Sequence, residues 1–471
     1  MTRRVDAAKQ RGAALLLFML VIIVATATIL VSGASRDRHA IRQQTDTRAK
    51  LEVAREALLD YATLRVDAGD GLAAALPCPD IDNSGGFDDG EAHDTACGAA
   101  GVTVIGRLPW KTLGVPALKD TGAACLWYAV SGSWKDAGPA TAAMINADTN
   151  GSLQLFSVET GNVLAGLRPD ERPVAMVFAA MQPVQGQVRP AAVQGRECAP
   201  AAAVDDYLDD DTVNGIFNAT LSGAADVIEL FSVTASRDPA HNDRVATLSR
   251  ADVAERLVSR TDYDTDMRDL GLAAAACVAN YAANNPGGPN DRRMPWPATV
   301  ALADYREATD YDDVSNGMIS GRLADRADDS NVSTGNTIAR VLSDCNVAAV
   351  PAWTAEMAAR WNSWKDHFFY AVGPSFAPDA SAPSNCSACL TVNGAGQYAA
   401  VLIFGNARLG AQRRDAPPTD PDTKLDPANY LEAGNATAVP GVSTDFTSGP
   451  ASPIFNDLLF CIDENLVVTE C

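Results

Sequence analysis

The chain has 471 residues, with 37 basic against 59 acidic side chains and a formal net charge of −22; 47% of it is hydrophobic and 20% charged. That length exceeds one ordinary hydrophobic core, and the composition is globular, which excludes a wholly disordered chain. So large an acidic excess argues against a nucleic-acid-binding surface and suits a solvated extracytoplasmic protein.

The first element is a helix. A basic leader (Arg3, Arg4, Lys9, Arg11) precedes an almost unbroken apolar run from Ala13 to Val31. The run is longer than the ~7–15 residues of a signal-peptide core and matches the ~20 that span a bilayer. Its flanking charges orient the N-terminus to the cytoplasm. Ile41, Leu51, Ala54, Leu58 and Tyr61 then recur at helical spacing with no proline before Pro77, so one helix is predicted to run from the apolar segment into water.

The leader ending "KQRG" and the "AALLLFMLVII" behind it resemble the class III prepilin signal of the type IV pilin and type II secretion pseudopilin family, over residues 1–65. The resemblance implies cleavage after Gly12 by a prepilin peptidase, leaving Ala13 as the methylated mature N-terminus. It implies a single inner-membrane pass with the head in the periplasm, then transfer through an inner-membrane assembly platform into a filament of other pilins or pseudopilins. The fifth mature residue, Glu in the major pilins, is here Leu17. In this the chain is similar to minor, tip-located members such as the large K-type pseudopilins, which prime assembly and present a head for adhesion or partner binding at the filament tip or cell surface. A secretory signal cut near Ser32-Gly33-Ala34 remains open on the residues alone. So does a membrane-anchored periplasmic binding protein or enzyme with an uncleaved N-terminal helix.

Seven short segments recur in order, with offsets from 215 (Leu108 to Leu323) to 242 (Val130 to Val372). "REALLDYA" answers "AACVANYA", "LPCP" answers "MPWP", "GVTVIGRL" answers "GMISGRL", and "CLWYAV" answers "HFFYAV". Further on, "VAMVFAAMQ" answers "AAVLIFGNA", "VDDYLDDD" answers "PANYLEAG", and "VIELFSV" answers "DLLFCID". Each copy reads as a helix ending in Tyr-Ala, an extended turn forced by Pro77 and Pro79 or Pro295 and Pro297, an acidic loop, and short buried strands. The expected fold class is α+β: a long N-terminal pilin-like helix followed by two tandem, duplicated helix-plus-antiparallel-sheet heads. The expected divisions are a leader (1–12), a transmembrane and filament-core helix (13–31), a first head with its helix (32–235), a junction (236–264) and a second head (265–471). "LPCPD" and "NDRVATLSRADV" also resemble large prepilin-like proteins of Gram-negative bacteria.

Between the helix and the strands, "DIDNSGGFDDGE" fits a calcium loop, with Asp80, Asp82, Ser84, the Gly86 carbonyl, Asp88 and Glu91 at ligating places. Pro77 and Pro79 replace the incoming helix of an EF-hand, and a solvated Asp/Gly turn is the plain alternative. The ten cysteines all follow the apolar run, an even set of the kind that pairs in an oxidising compartment. Cys78 and Cys97 flank the acidic loop and are expected to bridge it. Cys125 with Cys198 is a second choice, reached because both are left over in the first head. "CSAC" at Cys386–Cys389 lacks the strand and helix of a redox motif, so a structural bridge is expected. Trp353, Trp361 and Trp364 are expected in a core and not on a sugar-binding face. His39, His93, His241 and His367 fit no metal spacing, and Ser131 and Ser133 form no nucleophile elbow. The chain is therefore expected not to be an enzyme.

Overall fold

The computed structural model describes residues 8–65, 74–81, 89–93, 97, 101–136, 144–184, 186–190, 197–198, 204–219, 227–233, 240–284, 292–327, 339–381, 383–414 and 423–471. Within the N-terminal helix, the side chains described are those of residues 15–24, 26 and 41 onward. The fold is α+β, with several antiparallel sheets and few helices. Helix α1 (Ala8–Leu64) leads to β1 (Val104–Arg107), β2 (Trp127–Val130), β3 (Leu153–Ser157), β4 (Val163–Ala165), β5 (Pro173–Ala179), β6 (Asp210–Asp211), β7 (Ile216–Phe217), β8 (Ile228–Ser232) and β9 (Arg244–Ser249). The chain continues through α2 (Arg250–Val258) and α3 (Tyr263–Ala283) to β10 (Ser320–Arg322), β11 (Arg326–Ala327), β12 (Ala339–Arg340), α4 (Ala355–Trp364) and β13 (Phe368–Val372). It ends with β14 (Leu390–Val392), β15 (Ala395–Phe404), α5 (Ala433–Ala438), β16 (Asp445–Phe446), β17 (Leu458–Asp463) and β18 (Val468–Glu470).

In α1, Thr47, Leu51, Ala54, Leu58 and Ala62 are buried at intervals of three or four, which gives the helix one inward face. That face packs on Leu76, Leu108, Tyr128, Val130, Val177 and Leu248. Further up the helix, the side chains of Leu15 to Val24 are 46–72% exposed. Among the described residues no helix is long and apolar enough to cross a membrane.

The first sheet has the order β1-β2-β5-β9, antiparallel throughout. Strand alternation sends Tyr128 and Val130 of β2 towards α1 and Trp127 and Ala129 to the opposite face. There they meet Leu153, Leu155 and Leu230 of a smaller sheet, β4-β3-β8. In the second half, β10, β13, β15 and β17 pair in that order, again antiparallel, with α3 against β17. Trp353, Trp361 and Trp364 are buried in this second core.

The two four-stranded paths agree in register. Gly106 faces Tyr128 as Gly321 faces Tyr370. The bulge between Pro173 and Ala175 reappears between Tyr398 and Ala400. Tyr128 Oη donates to the Pro77 carbonyl at 3.2 Å, and Tyr370 Oη to the Pro295 carbonyl at 3.2 Å. Gly106 and Gly321 are required by close approach, since a Cβ would stand 2.7 Å from the Asp80 oxygen or 2.2 Å from that of Ala298.

Two expectations need correction. "VIELFSV" falls in β8, which runs parallel to β3 in the small sheet, whereas "DLLFCID" is β17; the counterpart of β17 is β9. Residues 236–264, expected as a junction, instead supply β9 to the first sheet, and α2 behind it packs on α1. The reason is local. The junction was expected as a polar loop followed by a helix. The helix is α2, but Ser249 caps it by accepting from the Asp252 amide, which fixes a strand-to-helix corner with β9 in place of the polar loop.

Candidate functional site

Of the residues singled out from the sequence, Gly12 and Ala13 lie within α1, and their surroundings fall outside the described residues. In the acidic loop, Asp82, Ser84, Gly86 and Asp88 lie outside the described residues. Asp80 is buried and accepts from the Gly90 amide at 2.9 Å, and Glu91 is exposed. Among the described residues no group of three His, Cys, Asp or Glu is placed to hold a metal ion. Cys78 is bonded to Cys97 and Cys125 to Cys198; the other bridges are Cys277–Cys345, Cys386–Cys389 and Cys461–Cys471.

A polar cluster that the sequence reading did not isolate sits at the same place in both halves. In the first, the Asp209 amide donates to Asp243 Oδ2 at 2.8 Å, and Asn218 Nδ2 donates to the same oxygen at 2.9 Å. In the second, the Glu432 amide and Asn435 Nδ2 donate to Asp457 Oδ2 at 3.0 and 2.9 Å. Gln187 and Gln412 reach Asp209 and Glu432 at 3.1 and 2.8 Å. Arg189 and Arg414 lie over the Tyr207 and Tyr430 rings at 5.1 and 4.6 Å and donate to the carbonyls of Met181 and Asn406 respectively.

Each cluster therefore brings two carboxyl groups together out of water. Burial, then the Asp209 carboxylate, pushes Asp243 well above the usual range. Burial, then Glu432, pushes Asp457 up to about 8. Among the described residues Asp243 Oδ1 and Asp457 Oδ1 lack a hydrogen-bond partner, as do the amide oxygens of Asn242 and Asn456 beside them; of these four only the carboxyl oxygens can carry the proton. Such a pair shares one proton because two adjacent buried charges repel. The donors come from the chain itself and the groups are closed to solvent. The chemistry on offer is a proton-holding clasp at the entry to β9 and β17.

The halves meet through a different buried group. Asp148, from a turn after β2, is fully buried with Oδ2 3.0 Å from His367 Nε2 and 3.3 Å from Arg414 Nη1; its Oδ1 lies 3.1 Å from Arg408 Nε. Burial opposes the charge on Asp148, but Arg414, His367 and Arg408 outweigh it and hold the carboxyl well below the usual range. Beside it, Asn146 Nδ2 donates to the Ser363 carbonyl at 2.8 Å and to Asp366 Oδ1 at 3.0 Å. Asp366 in turn contacts Lys424. His367, met in the sequence only as a lone histidine, is thus a partner in the contact between halves.

Comparison of the chain with protein-family models, with curated proteins and with solved structures finds no match. The signal that would have exposed the clusters was in the spacing of small polar motifs. "QGQVR" (Gln185–Arg189) and "GAQRR" (Gly410–Arg414) place Gln and Arg alike, "YLD" and "YLE" follow, and "ND" closes both (Asn242–Asp243, Asn456–Asp457).

Proposed function

We propose that the protein is a minor pilin or pseudopilin with a duplicated head, carried at the tip of a type IV pilus-like or type II secretion filament. The observation that carries this reading is α1. One helix runs from Ala8, within the basic leader, past the apolar side chains of Leu15 to Val24 to a buried stripe that seats the first sheet. That continuity suits a filament subunit, whose helix must bind a membrane first and neighbouring helices afterwards. A cleaved secretory signal would be separated from the head instead.

The duplication supports a tip position. The matched strand order, bulges, tyrosine bonds and carboxyl pairs are what copying of one head would leave. In this reading the first head extends through β9, and the second begins with α3. Two heads on one helix are too bulky to repeat along a tightly packed shaft, whereas a tip sets no such limit. Membrane insertion, cleavage after Gly12, transfer through the assembly platform and calcium in the loop from Asp80 to Glu91 all belong to this proposal. The test is gold labelling of sheared filaments against the head. Label confined to one end supports the tip reading, and label along the shaft or absent from filaments opposes it.

A further inference from the structure

The two sheets differ at one edge. In the second half β17 is covered by β18, whose Val468, Thr469 and Glu470 pair with Ile462, Cys461 and Phe460. The counterpart edge, β9, pairs with β5 and with no other strand among the described residues. Beside it, between α1 and β9, runs an open groove of about 940 Å³, bordered by Arg48, Leu51, Arg55, Val245 and Thr247. An unpaired strand edge is a ready template for another strand.

The helices align as the strands do. Thr47, Leu51, Ala54, Leu58 and Ala62 are buried on α1 where Met267, Gly271, Ala274, Val278 and Ala282 are buried on α3. On that alignment Arg48 stands where Arg268 stands, and Arg268 forms an ion pair with Glu470 of the covering strand. Arg48 is exposed in the open groove and makes no hydrogen bond or ion pair with the described residues. The backbone agrees with the side chains. Cys471 donates its amide to the Leu459 carbonyl at 3.1 Å, so by antiparallel alternation Cys461 turns its own amide and carbonyl towards Thr469. Thr247 occupies the place of Cys461. Its carbonyl is met by Arg55 Nε at 3.1 Å, a side chain held by Asp252 at 2.7 Å.

We propose that the groove between α1 and β9 is a docking site for an extended, carboxylate-bearing segment of a partner protein, which pairs antiparallel with β9 as β18 pairs with β17. Main-chain bonds to Thr247 replace the Arg55 donor and supply affinity, while the ion pair with Arg48 sets the register. The site rests on the match between the two sheets and not on the filament reading, so either stands if the other fails.

The probe is a fluorescent peptide of residues 464–470, ENLVVTE, titrated against the full-length chain in detergent micelles. The expected result is saturable binding that weakens roughly tenfold in Arg48→Glu, the scale of one charge-assisted contact, and recovers when the peptide carries Glu470→Lys. Thr247→Pro, which removes an outward amide at an edge position, weakens binding of both peptides. Absence of saturable binding to the unmodified chain, equal affinity for Arg48→Glu, or no recovery with the charge-swapped peptide overturns the proposal.

Discussion

The two halves share their interior and differ at their margins. Both build a helix on an antiparallel path of four strands and close it with a carboxyl pair, an Asn, a Gln and an Arg in matching places. Even their packing compensates: Leu51 and the small Ala246 belong to one apolar cluster in the first half, while Gly271 leaves room for Phe460 in the other, where a Cβ would stand 2.1 Å from the ring. At the margin, Cys125 of the first half is tied covalently to Cys198, whereas the aligned His367 receives Asp148 from the first half. Matched interior residues thus recur in both halves, while the contacts at the margins, a disulfide in one and an ion pair across the halves in the other, do not.

This contrast can be broken most severely at Arg414. Arg414→Met leaves Asp148 buried beside a lost partner and should cost about 3–5 kcal/mol, read from the denaturant midpoint. Arg189→Met, in a cluster without a cross-half carboxylate, should cost less, and equal losses would remove the special role of Asp148. Next in size, replacing Cys125 and Cys198 together by Ser opens a bridge of sequence separation 73 and should cost about 2–5 kcal/mol. A loss near zero would mean that packing alone holds that margin.

The shared interior predicts a smaller, pH-dependent effect. Asp457 keeps its proton up to about 8 in the folded chain, against an ordinary value of 3.8. Ionisation is therefore penalised by folding. The contribution is full below the ordinary value and is lost as pH rises through about 8. Melting temperature should fall across that window, and Asp457→Asn should flatten the profile; an unchanged slope would oppose a shared proton. Smallest of all, calcium should raise the melting temperature slightly with affinity in the ~10⁻⁴–10⁻³ M range. An Asp80→Ala, Asp82→Ala double variant should abolish that rise, and a calcium-independent melt in the unmodified chain would leave an ordinary acidic turn.

The strands were legible because apolar runs such as "CLWYAV" and "HFFYAV" sit between turn residues, and the buried stripe of α1 because its spacing is helical. Strand β9 was missed for a physical reason. "RVATLS" is only half-buried at an edge, so it carries too little apolar signal, and "VIELFSV" nearby carries more. The carboxyl clusters were hidden because their members are single polar residues spread over long loops, indistinguishable from surface Asp and Asn until the fold assembles them. Asp148 was hidden for the same reason, since its partners lie in the other half of the chain.

The central claim, a filament subunit behind a cleaved leader, is tested most directly by the intact mass of the chain recovered from cells carrying a prepilin peptidase. The expected result is a chain beginning at Ala13 with a methylated amine, and retention of the leader when Gly12→Val is introduced. A chain that keeps Met1, or one cut near Ala34, contradicts it.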